Sequence, residues 1–147
     1  MIVPLPDLAA MEAFGARVAA VLRPGDVVAL SGGVGAGKTT LARAILRGLG
    51  HDGEVPSPTF SIVEAYDLPA VRLPVAHADF YRLRSPREAD ELGLDDYREG
   101  AALIAEWPEM AGGFSHEPGC LAILLETDGT GRRAIASLGA DWLGRMP

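Results

Sequence analysis

At 147 residues, with 48% hydrophobic and 22% charged residues, the chain has the size and balance of one globular domain around one core, which excludes a disordered segment. Its net charge is −7, with thirteen Lys and Arg against twenty Asp and Glu, a poor endowment for gripping a phosphate backbone, so any nucleic-acid substrate is expected to be held by a partner. No apolar run is long enough to span a bilayer, the start MIVPLPDLAAMEAF lacks the pattern of a signal peptide, and Cys120 stands alone, so an intrachain disulfide and a cysteine zinc cluster are excluded and a reducing, cytoplasmic setting is expected.

Asp7 is a candidate helix N-cap, and Leu8, Met11, Val18 and Leu22 recur behind it at helical spacing. Pro24-Gly25 ends that helix, and the apolar run Val27 to Leu30 reads as a buried strand. A glycine-rich loop follows, then a helix from about Lys38 to Leu49 that Gly50 stops. Phe60 to Tyr66 reads as a strand, as does Val71 to His77, where Pro74 signals an edge or a bulge. Ser85-Pro86-Arg87-Glu88 opens a short helix to about Leu92. Ala101 to Ala105 and Leu121 to Leu125 are further strands, with Arg132 to Leu138 the antiparallel neighbour of the latter and Ala140 to Arg145 a terminal helical turn. Helices and strands alternate early and strands dominate late, which predicts an α/β domain with a mixed sheet.

The loop Gly32-Gly33-Val34-Gly35-Ala36-Gly37-Lys38-Thr39 fits G-x-x-x-x-G-K-[ST], with an apolar strand before it and the helix-forming run Leu41 to Leu46 after it. Glycines let the backbone adopt positive φ and approach phosphate closely. Successive N–H groups form an anion nest, and the helix N-terminus adds its positive end. Lys38 is the only lysine of the chain, all other fixed positive charges being arginine. A compact ammonium fits so tight a loop where a planar guanidinium does not. Thr39 offers a hydroxyl to Mg²⁺, and Thr40 extends the candidate nucleotide-binding set. The expected class is therefore a P-loop NTPase-like, three-layer α/β/α domain with a mixed, partly antiparallel sheet, occupying residues 1–147 and taking ATP with Mg²⁺.

P-loop chemistry also needs a carboxylate on the metal side, at the end of a strand beside the P-loop strand. Asp79 ends the run Val75 to Asp79, and Glu106 ends Ala102 to Glu106. Either is equally a turn or cap residue when taken alone. His77 reads as a partly buried strand residue, or else as half of a transition-metal pair with Asp79. Trp107 either covers the site or is an ordinary core tryptophan. Thr59 is either a second hydroxyl near the γ-phosphate or a plain strand start after Pro58, and Arg82 pairs with Asp79, with phosphate, or with a surface acid.

Taken in order, these elements resemble the TsaE (YjeE) family. Gly32 to Thr39 is similar to its G-x-x-G-A-G-K-T loop, Ser57 to Tyr66 to its S-P-T-[FY] switch segment, His77 to Leu83 to its H-x-D-x-Y-R-L element, Glu91 to Tyr97 to its linker, and Ile104 to Glu109 to its E-W-P-E element. The likeness runs from about residue 7 to residue 112. Gly33 departs from the acidic residue that family members often carry there. The resemblance implies a Mg²⁺-dependent ATPase, weak alone, that joins a TsaB–TsaD pair in forming threonylcarbamoyladenosine at position 37 of ANN-decoding tRNAs. It implies that Lys38 and the loop amides bind phosphates, that Thr39, Asp79 and Glu106 surround Mg²⁺, with Lys38, Asp79 and Glu106 as the catalytic set, and that Thr59 and Trp107 sense nucleotide and partner.

Three rivals compete with this reading. A small-molecule kinase needs an acceptor pocket and an arginine-bearing lid, for which Arg82 to Arg87 is the one arginine-dense stretch. A GTPase needs an N-K-x-D or T-K-x-D element, and a second lysine for it does not exist. A nucleotide-dependent assembly switch without hydrolysis is compatible with the sequence.

Overall fold

Helix starts and stops follow from local chemistry. The Asp7 carboxylate accepts from the Ala10 N–H at 2.8 Å and opens helix α1, Leu8–Val21. Gly37 stands before helix α2, Lys38–Gly48, with φ 104°, a conformation that costs glycine nothing. The structure is a computed structural model that describes residues 1–56 and 62–147. The expected strand over Phe60 to Tyr66 begins within the five residues outside this range, and the part described, Val63–Tyr66, is extended.

The strands are β1 (Ile2–Leu5), β2 (Val27–Ser31), β3 (Val63–Tyr66), β4 (Val75–Asp79), β5 (Ala102–Glu106), β6 (Cys120–Asp128) and β7 (Gly131–Leu138). They form one sheet in the order β1-β7-β6-β2-β5-β4-β3. The central four, β6, β2, β5 and β4, are parallel, and antiparallel pairs flank them on both sides. Continuous apolar runs suit the parallel centre because both of its faces are covered. On one face, Val28, Leu30, Ile104 and Ile123 pack against α1 and α2. On the other, Val27, Ala29, Leu103 and Ala105 pack against Phe80, Phe114 and the short helices α3 (Arg87–Glu91) and α4 (Leu94–Arg98). The layers are therefore helix, sheet, helix, as expected.

Two glycines let α1 and α2 approach closely. A Cβ on Gly15 would lie 2.4 Å from the Ala44 Cβ, and one on Gly48 would lie 2.7 Å from that of Ala19. The tight contact sets α2, and hence the residues at its N-terminus, against the sheet.

The strand expected over Val71 to His77 instead runs from Val75 to Asp79. Pro74 has no N–H to give the ladder, so it ends the irregular segment before the strand, and its carbonyl accepts from Ala102. The expected turn over Ala140 to Arg145 is a 3₁₀ turn at Ala140–Trp142. Sequence patterning missed β1 and α4. β1 holds Pro4 and lies at the sheet edge, where a missing donor is tolerated.

Candidate functional site

β2, β5 and β4 run parallel and end level with one another. Leu30 on β2 and Asp79 on β4 both pair with Glu106 on β5, so both candidate carboxylates sit at the carboxyl edge of the sheet. Open α/β sheets bind ligands at that edge. Glu106 is on the strand beside the P-loop strand, and Asp79 is one strand further out.

The loop from Gly32 to Gly37 bridges β2 and α2 along this edge. Gly32, Gly35 and Gly37 have φ of 140°, 79° and 104°, and a Cβ at Gly32 would meet the Leu125 carbonyl oxygen at 2.5 Å. Only glycine satisfies both demands at Gly32. The Lys38 ammonium folds back beneath the loop and donates to the carbonyls of Gly32 at 2.8 Å and Gly33 at 2.7 Å. It also lies 4.3 Å from the centre of the Trp107 ring, a cation–π contact. Burial pushes the Lys38 ammonium below its ordinary pKa, against the pull of Glu106, Asp79 and Glu109.

Thr39 donates its hydroxyl to Glu106 Oε1 at 2.7 Å. The other oxygen of Glu106 lies 2.6 Å from His77 Nε2, and both side chains are buried. Asp79 Oδ1 accepts from the Tyr81 N–H at 3.0 Å. Burial raises the pKa of Asp79; the Tyr81 N–H bond opposes the shift, and nearby Glu106 adds to it.

Trp107 has φ 55° and ψ 51°, and it is the only described non-glycine residue with positive φ. An aromatic residue in this region costs on the order of 1–3 kcal/mol. The Trp107 N–H donates to Leu30 at the end of the P-loop strand, and the ring leans on Tyr81 with centroids 4.8 Å apart. The conformation thus puts the indole over the lysine.

Together these groups line a cavity of about 350 Å³, walled by Val34, Gly35, Gly37, Lys38, Thr39, Thr40, Asp79, Tyr81, Glu106 and Trp107. The structure brings together nearly every residue singled out in the sequence. Gly32 and Gly33 contribute carbonyls to Lys38, and Ala36 is buried with its N–H on the Gly33 carbonyl at 3.1 Å. Thr59 lies outside the described residues. Arg82 is exposed and forms no ion pair among the described residues, and Asp79 takes its hydrogen bond from Tyr81 instead.

Oxygen donors from Thr39, Asp79 and Glu106 are the hard ligand set that Mg²⁺ prefers. Among the described residues no cluster of three or more His, Cys, Asp and Glu could hold a metal alone, the transition-metal reading of His77 and Asp79 included.

Two contacts escaped the sequence reading. His77, expected to be partly buried, is wholly enclosed and touches Glu106. Arg132, on β7, donates to the Gly35 carbonyl at the loop tip at 3.1 Å. His77 carried a signal in its alternation with Asp79 on one strand face, whereas nothing local marks Arg132 as a neighbour of residues 97 positions away.

The family model described as "Threonylcarbamoyl adenosine biosynthesis protein TsaE" matches residues 5–135. A tRNA threonylcarbamoyladenosine biosynthesis protein TsaE from Haemophilus influenzae is 38% identical over 119 residues, covering 77% of this chain and 74% of the relative. One of the same name from Streptomyces coelicolor is 43% identical over 100 residues, covering 67% and 68%. The crystal structure of Bacillus subtilis YdiB superposes with a TM-score of 0.73 at 27% identity, over 96% of this chain and 86% of that one.

Proposed function

The chain belongs to the TsaE family, and from that premise we propose that it binds and hydrolyses ATP with Mg²⁺ as a subunit of the assembly that forms threonylcarbamoyladenosine in tRNA. The single observation that carries the reading is the convergence of Lys38, Thr39, Asp79 and Glu106 on one cavity at the sheet's carboxyl edge. The functional unit is one P-loop ATPase domain over residues 1–147.

The residues divide the work as follows. Loop N–H groups and the start of α2 bind the phosphates. Lys38 leaves the Gly32 and Gly33 carbonyls for the β and γ oxygens, its ammonium being largely desolvated before nucleotide arrives. Thr39, Asp79 and Glu106 would hold Mg²⁺ and its waters. When bound, the ion neutralises charge that develops on the phosphoryl oxygens. Trp107 covers the lysine and limits water entry.

The site lies at the carboxyl edge of the sheet, where the Asp79 N–H donates to Ile62 just before β3, and a nucleotide held there is suited to control assembly with a TsaB–TsaD-like heterodimer. With a net charge of −7, the chain leaves tRNA to that partner. No helix among the described residues is long and apolar enough to cross a membrane.

The test is a pull-down of a TsaB–TsaD-like pair with and without ATP, followed by phosphate release from the complex. ATP-dependent capture with phosphate release supports the reading. Capture without release reduces the protein to an assembly switch, and release only in the presence of a small-molecule acceptor makes it a kinase.

A further inference from the structure

His77 has no assigned role, yet it is one of the most enclosed polar groups in the chain. Its exposure is 0%, it lies on the sheet face that carries Glu106 and Asp79, and its position is one that an aliphatic residue could fill. His77 pairs across the ladder with Ile104, so Glu106 is its diagonal neighbour two residues on, within reach of a long side chain.

The hydrogen bonding is lopsided. His77 Nε2 stands 2.6 Å from Glu106 Oε2, while His77 Nδ1 has no partner among the described residues. A hydrogen bond to a carboxylate oxygen at 2.6 Å is made when the imidazole carries a proton on Nε2, the tautomer that this contact favours. The buried Nδ1 is then left without a hydrogen-bond partner, which is unfavourable. A merely structural histidine is ordinarily satisfied at both nitrogens. This one is spent on a single contact.

That contact completes a two-point clamp. Glu106 Oε1 accepts from Thr39 on α2, and Oε2 lies against His77 on β4. The two partners come from separate elements, one on each oxygen, and together they hold the plane of a carboxylate that is only 2% exposed. Without His77, Oε2 would be a buried acceptor lacking a donor, free to swing away from Thr39.

We propose that His77 is a positioning residue that holds the Glu106 carboxylate in the orientation required on the metal side of the nucleotide. The inference rests on the function proposed above and adds to it a group that touches neither nucleotide nor metal. Partners of metal-side carboxylates typically contribute 10- to 100-fold in metal affinity or activity.

The test uses the full chain with its protein partners and three variants. His77→Leu removes the donor at similar volume, His77→Gln keeps an N–H donor at a comparable reach, and His77→Leu is also combined with Glu106→Gln. In His77→Leu, kcat for phosphate release is expected to fall about 10- to 100-fold, and the Mg²⁺ concentration that supports half-maximal nucleotide affinity to rise by a similar factor. Nucleotide affinity without Mg²⁺ should stay within about 3-fold, and His77→Gln should recover most of the loss. In the Glu106→Gln background, His77→Leu should add almost nothing, because both act through one carboxylate. Nitrogen NMR of the nucleotide-free wild type should place the imidazole proton on Nε2.

An Nε2 that carries no proton overturns the proposal even if His77→Leu fails to fold. So do a folded His77→Leu protein with unchanged kcat and Mg²⁺ requirement, and losses that multiply in the double variant. Wild-type protein that binds no nucleotide overturns the proposed function itself, and this inference with it.

Discussion

Replacing Lys38 by alanine isolates what one ammonium does in the site. It makes two short hydrogen bonds to loop carbonyls, at 2.8 and 2.7 Å, and lies 4.3 Å from the Trp107 ring centre. Its exposure is 6%, so most of its desolvation cost has been met in folding. Nucleotide binding exchanges neutral acceptors for charged phosphate oxygens. The bonds to the carbonyls already carry the ammonium charge, bonds with both partners charged are stronger still, and a charge-assisted bond contributes about 1.5–3 kcal/mol net. The cation–π contact, about 0.5–2 kcal/mol, is weakened in the exchange and offsets part of the gain. The expected loss for Lys38→Ala is therefore about 1.5–3 kcal/mol, or roughly 10- to 100-fold in ATP affinity. Calorimetric titration at fixed ionic strength measures it, since screening would otherwise blur the comparison. Lys38→Arg belongs in the same series. The space between two carbonyls and an indole suits a compact ammonium, so arginine should recover little of the loss. Unchanged affinity in Lys38→Ala would refute the charge argument, and full affinity in Lys38→Arg would refute the argument from shape.

Glu106→Gln keeps the volume and can still bridge Thr39 and His77, so folding should survive while Mg²⁺-dependent phosphate release by the complex falls on the order of 100-fold; equal loss of binding and turnover would contradict the assignment. Asp79 has a pKa raised chiefly by burial, so the folded state holds its proton more tightly than the unfolded chain, and stability declines as pH rises from the ordinary carboxylate range through the raised value. Asp79→Asn should therefore raise the melting temperature of the nucleotide-free protein at neutral pH, with the advantage disappearing in acid; a lower melting temperature at pH 7 would count against this sign. Arg145 makes paired bonds to Asp26 at 2.6 and 2.7 Å and caps the Val21 carbonyl at 2.7 Å, all largely shielded from water. Arg145→Ala leaves that carboxylate buried with only the Arg23 N–H for company, and chemical denaturation should report a loss of about 3–5 kcal/mol, whereas a change under about 1 kcal/mol would show that the pair is solvated.

Much of the site was legible along the chain because its chemistry is local. The phosphate loop needs glycines, one lysine and one threonine within eight consecutive positions, between an apolar strand and a helix, and each of those requirements acts between near neighbours. The carboxylates were legible as strand ends for the same reason. The limits of β4 were less so, because Pro74 both breaks a ladder and permits one to begin, and only the pairing with β5 decides which. β1 was invisible because four residues with a proline among them acquire strand character only from β7.

The amino-acid order by itself determined the Asp7 cap of α1, the apolar layers and the glycine-rich turn between β2 and α2, since these depend on backbone preferences and side-chain periodicity over a few residues. Tertiary structure alone decided that Glu106 stands between Thr39 and His77, that Trp107 lies over Lys38, and that Arg132 reaches the loop tip. Those contacts join residues between 29 and 97 positions apart. Their geometry comes from strand order and register, which arise only when the whole sheet assembles.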